Sequence, residues 1–109
     1  MGFFDFQKGP DISQGVKEYQ ATPGAVLLDV RTLEEYREGH IPGSKNVPLQ
    51  SLDKVTGLVN HQDTPMFAYC YSGARSAQAV SALQRMGYTN VKNIGGINDW
   101  MGETVSGEA

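Results

Sequence analysis

Two short apolar runs, each passing directly into the start of a helix, constrain this chain more than any other feature. Val26 to Val30 is continuous, apolar and brief, as a buried strand is. Thr32-Leu33-Glu34-Glu35 follows at once in the form of a capping box, so a helix starts there. Met66 to Tyr69 is the second run and leads straight into Cys70. Tyr71-Ser72-Gly73-Ala74 reads as a turn, and a helix is predicted from about Arg75 to Met86. Its Ala79, Val80, Leu83 and Met86 share one face, and Gly87 is placed to end it. Val91 to Ile94 is a further strand. Such alternation predicts an α/β fold with a parallel sheet covered on both faces. Right-handed crossovers then bring every strand-to-helix loop to the carboxyl edge of the sheet. Two loops meet there, Asp29-Val30-Arg31 and Cys70 to Arg75.

The remaining segments fit around this frame. Asp11 or Ser13 caps a helix reaching about Gln20, which Thr22-Pro23-Gly24 stops. Gly39 ends the second helix, His40-Ile41-Pro42-Gly43 is a turn, and Lys45 to Val47 is a short strand before Pro48. Ser51 to about Asn60 reads as a helix weakened by Gly57. Gly95-Gly96 turns the chain, and a short terminal helix begins at Asn98-Asp99-Trp100, with Trp100 expected in the core. No repeat, low-complexity block or interior linker divides the sequence. A single domain over 1–109 is expected, with a core of about 10–101. A short flexible N-terminal segment is expected before it. The small, polar tail from Gly102 to Ala109 is expected to fray.

Composition narrows the function. Hydrophobic residues make up 39% of the 109 and charged residues 19%, enough for one modest core. The net charge is −3 and no Lys/Arg-rich stretch exists, so no nucleic-acid partner is expected. The longest apolar run, Ala25 to Leu28, falls far short of the roughly 20 residues of a membrane span. No signal peptide is visible. Gly2 suggests myristoylation, but Phe6 stands where that motif needs Ser or Thr. The expectation is a cytoplasmic, membrane-free protein, a monomer or weak dimer. The one cysteine excludes an intramolecular disulfide and a CxxC site. His40 and His61 form no recognisable metal-ligand pair, so no metal and no cofactor are expected.

Cys70 leaves a buried strand, and a helix starts about five residues later. The backbone N–H groups between them lack strand or helix partners. Curled inward, they make an anion-binding nest to which the helix N-terminus adds partial positive charge. Gly73 permits the backbone angles such a loop needs, and Arg75 brings a fork of donors suited to an oxyanion. A thiol in this setting has a lowered pKa and reacts as the thiolate. The alternative, a buried structural cysteine, does not require Gly and Arg at these offsets.

Cys70-Tyr71-Ser72-Gly73-Ala74-Arg75-Ser76 resembles the active-site loop of single-domain rhodanese-like sulfurtransferases. Leu28-Asp29-Val30-Arg31 with Glu35-Tyr36, the segment from Gly39 to Pro48, Gly87-Tyr88-Thr89-Asn90-Val91, and Gly95-Gly96-Ile97 with Trp100 resemble the family's other landmarks, in order. The resemblance covers roughly residues 10–101. It implies a five-stranded, mainly parallel sheet with helices on both faces. It also implies transfer of a sulfane sulfur, from thiosulfate or another small anionic donor, to a thiol or protein acceptor. Cys70 would carry the sulfur as a persulfide, and cyanide would serve as acceptor in an assay.

The loop residues Tyr71, Ser72, Gly73, Ala74 and Arg75 would then bind substrate, their amides holding the persulfide and Arg75 the donor's sulfonate. Arg31 either faces the same pocket or pairs on the surface with Glu34 or Glu35. Asp29 is expected to orient the active loop by hydrogen bonds, because a carboxylate beside a thiolate would raise the thiol's pKa. Ser76 caps the helix or touches the donor, capping being the plainer role. His40 reads as part of a structural turn.

Three other functions compete. A Cys-dependent phosphatase or arsenate reductase has a loop of the form Cys-x5-Arg, one residue longer than the one here. A docking module with a rhodanese fold commonly lacks the cysteine. A persulfide relay with little thiosulfate activity cannot be told from a thiosulfate sulfurtransferase by sequence.

Overall fold

The computed structural model describes residues 9–108. Residues 1–8 of the expected N-terminal segment, with the Gly2 and Phe6 reading, and the last tail residue, Ala109, lie outside the described residues. In order come α1 (Ile12–Ala21), β1 (Val26–Asp29), α2 (Leu33–Glu38), β2 (Lys45–Asn46), a 3₁₀ segment (Leu49–Gly57), β3 (Met66–Cys70), α3 (Ala74–Arg85), β4 (Val91–Gly96) and a 3₁₀ turn (Ile97–Asp99).

The four strands form one sheet in the order β2-β1-β3-β4, and every pair is parallel. The alternation of strands and helices therefore has the expected outcome. The fifth strand implied by resemblance is absent among the described residues, and the four strands are those the apolar runs mark. Pro10 has no N–H to give to a ladder. Asp11 follows it at once as the cap of α1, accepting from Ser13 N at 3.0 Å. This stretch thus enters a helix at once.

The twofold period of a strand sorts the apolar runs into two cores. Leu28 and Val30 with Met66, Ala68 and Cys70 face α3 and the 3₁₀ segment, meeting Ala79, Leu83, Leu52 and Val55. Leu27 with Phe67 and Tyr69 faces α1, meeting Ile12 and Val16. All five residues of β3 are buried, so the sheet is covered on both sides at its centre. Cys70 thus belongs to the α3 side.

Three local expectations are revised. The helix predicted over Ser51 to Asn60 is a 3₁₀ segment starting at Leu49, kinked at Ser51 (φ −126°, ψ 34°). Its buried residues, Leu52 and Val55, are three apart, the spacing that aligns side chains in a 3₁₀ helix. Trp100 follows a single 3₁₀ turn and packs half-buried at the margin of the α1-side core. The tail, expected to fray, folds back: His40 and Val105 form an antiparallel bridge, with N–H···O distances of 2.8 and 2.9 Å. Gly107 N donates to Arg37 O at 2.8 Å, and Arg37 pairs with Glu108.

Candidate active site

Cys70 is the last residue of β3, wholly buried, at the carboxyl edge of the sheet. The chain turns over the sulfur within three residues. Gly73, the N-cap of α3, has φ +104°, a conformation glycine adopts without strain. Its N–H donates to Cys70 Sγ at 3.0 Å. The floor of the loop is the end of β4. Cys70 pairs with Gly96 in the ladder, and Asn98 N donates to Tyr71 O at 3.1 Å. A Cβ on Gly96 would stand 2.2 Å from Tyr71 O and 2.6 Å from Ser72 Cα, so only glycine lets the loop lie this close.

Ser76, expected as a cap or donor contact, has a different place. The cap is Gly73, which has no side chain to offer, and Ser76 is the third helical residue, fully buried. Its hydroxyl has one proton and three acceptors within reach: Asn93 Oδ1 at 2.7 Å, Gly73 O at 3.1 Å and Cys70 Sγ at 3.4 Å. Asn93 completes the arrangement. Its Nδ2 donates to Gly73 O at 3.2 Å, and its Oδ1 also accepts from Gly95 N at 3.0 Å. It sits beside a bulge, where the β3–β4 register passes from Ala68↔Asn93 to Tyr69↔Gly95. Sequence reasoning missed Asn93. The available sign was an amide inside the strand Val91–Ile94, two residues before Gly95-Gly96.

Burial is the largest influence on the Cys70 thiol and pushes its pKa up. The Ser76 hydroxyl and the N–H groups of Ser76, Gly73 and Ser72 together outweigh it, so the net shift is downward. The sulfur is therefore inclined to the thiolate in the absence of any neighbouring imidazole base. Tyr71, Ser72 and Ala74 are exposed and form the rim above it.

Arg75 lies on this rim with its fork already engaged. Nη1 donates to Glu35 Oε1 at 2.7 Å and Nη2 to Oε2 at 3.0 Å. The Arg75 hydrogen bonds, foremost, with those from the Thr32 backbone and hydroxyl, hold the Glu35 carboxyl down to about 2 against partial burial. Glu35 in turn raises the Arg75 pKa, and the Cys70 charge adds to that effect, which puts the guanidinium within electrostatic reach of the sulfur.

Neither alternative for Arg31 matches its surroundings. It is only 5% exposed, and Asp29 takes its side chain: Nε donates to Oδ1 at 3.0 Å and Nη2 to Oδ2 at 2.7 Å. Nη2 also donates to Gly39 O at 2.7 Å. Nε and Nη2 are thereby committed to structural partners beneath the surface. Asp29 likewise serves Arg31, accepting also from Arg31 N at 2.9 Å, and does not orient the cysteine loop. The turn from Gly39 to Ser44 is held from a second side by Tyr69, whose hydroxyl accepts from Ile41 N and is within hydrogen-bond distance of Ser44 Oγ, both at 3.1 Å. His40 lies in that turn, fully buried, its ring stacked on Tyr36 at 3.6 Å.

A groove of about 540 Å³ lies apart from the cysteine loop, between α2, β2 and the 3₁₀ segment. Among the described residues, no group of three or more His, Cys, Asp or Glu comes together to hold a metal ion. No helix among them is long and apolar enough to cross a membrane.

The family model for the rhodanese-like domain matches residues 13–103. The thiosulfate sulfurtransferase PspE of Escherichia coli is 37% identical over 73 residues, which span 66% of this chain and 70% of that protein. YrkF of Bacillus subtilis, named as a sulfur carrier protein, is 38% identical over 79 residues, 72% of this chain. The match spans only 42% of YrkF's own length. Among solved structures, a rhodanese with anions from E. coli superposes with a TM-score of 0.71 at 34% identity, covering 76% of this chain and 99% of that one.

Proposed function

The chain belongs to the rhodanese-like domain family, and on that premise we propose that it is a sulfurtransferase carrying a sulfane sulfur on Cys70 as a persulfide. The observation that carries this reading is the sulfur's setting: a buried Sγ that accepts from Gly73 N at 3.0 Å and Ser76 Oγ at 3.4 Å, with its pKa lowered. These donors favour the thiolate, the nucleophile of the reaction.

The chemistry proceeds in two balanced displacements. The Cys70 thiolate attacks the sulfane sulfur of the donor. With thiosulfate, the sulfur–sulfur bond breaks, sulfite departs with the electron pair, and Cys70 keeps an anionic persulfide. The Gly73 and Ser76 donors, fixed before reaction, are suited to stabilise that charge at no further reorganisation cost. An acceptor thiolate or cyanide then attacks the outer sulfur and releases the Cys70 thiolate. The sequence has one cysteine, which agrees with an external thiol or a protein as acceptor.

A second reading is a persulfide relay between thiols or proteins with little thiosulfate turnover. The engagement of Arg75 by Glu35 favours it, because the cation best placed to hold a sulfonate is already paired. A phosphatase gains no support, since its oxyanion would need the same arginine.

The test is thiocyanate formation from cyanide, with thiosulfate or glutathione persulfide as donor. The parent protein is expected to turn over with at least one donor and Cys70→Ser with neither. Absence of thiocyanate from folded, reduced parent protein with both donors would overturn the proposal.

A further inference from the structure

Charge at the mouth of the site is arranged in closed pairs. Arg31 and Asp29 cancel beneath the surface, with side chains 6% and 0% exposed. Arg75 and Glu35 cancel at the rim, with side chains 35% and 31% exposed. Glu35 is held twice: by the guanidinium fork, and by its own helix, where Oε1 accepts from Thr32 N at 3.1 Å in the capping box. The carboxylate is thus held against Arg75 from two sides. Once Cys70 ionises, the nearby side-chain charges sum to that of the thiolate.

Sulfane donors differ in what they need from such a site. A dianionic donor such as thiosulfate is repelled by the thiolate and gains from a free guanidinium. To use Arg75 it must displace Glu35 and leave a carboxylate beside it. A persulfide R–S–SH carries no charge on its reacting sulfurs when protonated. Attack on its outer sulfur breaks the sulfur–sulfur bond, leaves the thiolate R–S⁻ and forms Cys70–S–SH, with no sulfonate to be held.

We propose that Glu35 is a specificity-determining residue: by occupying the Arg75 fork it discriminates against dianionic donors and reserves Cys70 for persulfides borne on thiols. This inference rests on the sulfur-transfer reading and names the donor class for it.

The variant that isolates the charge is Glu35→Gln, because glutamine keeps the length and the carbonyl acceptor of a capping box. Rates with thiosulfate and with glutathione persulfide, cyanide being the common acceptor, give a ratio of kcat/KM values for the two donors. The ratio is expected to move toward thiosulfate on the order of tenfold in Glu35→Gln, mainly through KM for thiosulfate. Adding Arg75→Gln is expected to abolish the gain. In the parent protein, raising ionic strength is expected to lower KM for thiosulfate as repulsion is screened, and this needs no variant. A ratio unchanged in well-folded Glu35→Gln, or a thiosulfate KM that rises with salt, would overturn the role of Glu35 while leaving sulfur transfer standing. Failure of both donors to load Cys70 in the parent would remove the sulfur-transfer reading and this inference together.

Discussion

Arg31 and Arg75 stand at the same carboxyl edge of the sheet, after neighbouring strands, and each grips a carboxylate, yet they do opposite things. Arg31 reaches two residues back to Asp29 and is sealed between the turn at Gly39 and the face of Tyr69, 5.8 Å from the ring centroid. Arg75 reaches across the fold to Glu35, forty positions away, and stays a third exposed. The first pair shares its donors with the backbone and is closed to solvent, so it fixes a turn. The second lies at the rim, open to water, and occupies the fork that a ligand would use. An arginine after a strand is therefore no guide to function until its partner and its exposure are known.

The comparison is broken most severely at the buried pair. Arg31→Ala leaves Asp29 charged and unpaired, and truncating one member of a buried pair costs about 3–5 kcal/mol. Urea denaturation should show that loss, with Cys70 still loading in whatever fraction stays folded. A loss confined to sulfur loading, with stability intact, would put Arg31 in the site after all. The next effect sharpens the chemistry of the cysteine loop. Ser76→Ala removes a hydroxyl that favours the thiolate, so the Cys70 pKa rises. The rate of iodoacetamide alkylation rises with pH through that pKa, so its limb should move to higher pH. A limb that stays in place would show that the backbone amides alone set the thiol.

The smallest effect belongs to the exposed pair. Arg75→Ala is expected to cost less than about 1 kcal/mol at neutral pH, since an exposed pair is screened by solvent. The Glu35 carboxyl lies at about 2 in the folded protein against an ordinary 4.5. The pair's contribution is therefore present above pH 4.5 and is lost as pH falls toward 2, and the stabilities of parent and variant should converge there. Similar losses for Arg31→Ala and Arg75→Ala would erase the distinction.

What could be read from the sequence was local. The strands follow from apolar runs, the start of α2 from Thr32 and Glu35 three residues apart, and the position of Cys70 from the run that ends in it. The 3₁₀ character of the segment is not visible in the sequence, because Leu52 and Val55, three apart, fit either helical period. The partners of Arg75 and Ser76 were illegible for another reason. Each lies on a separate element brought alongside by the fold, Glu35 on α2 and Asn93 on β4. The tail could not be placed either, because its small residues carry no period, and the strand-like bridge to His40 is made by backbone hydrogen bonds.

The central claim is that the sulfur rests on Cys70, and intact mass tests it most directly. Reduced protein incubated with thiosulfate or glutathione persulfide, then freed of donor, should gain the mass of one sulfur atom. The gain should vanish on adding cyanide and be absent from Cys70→Ser. A parent protein that stays at its original mass with both donors, or a Cys70→Ser variant that gains the same mass, would contradict the account.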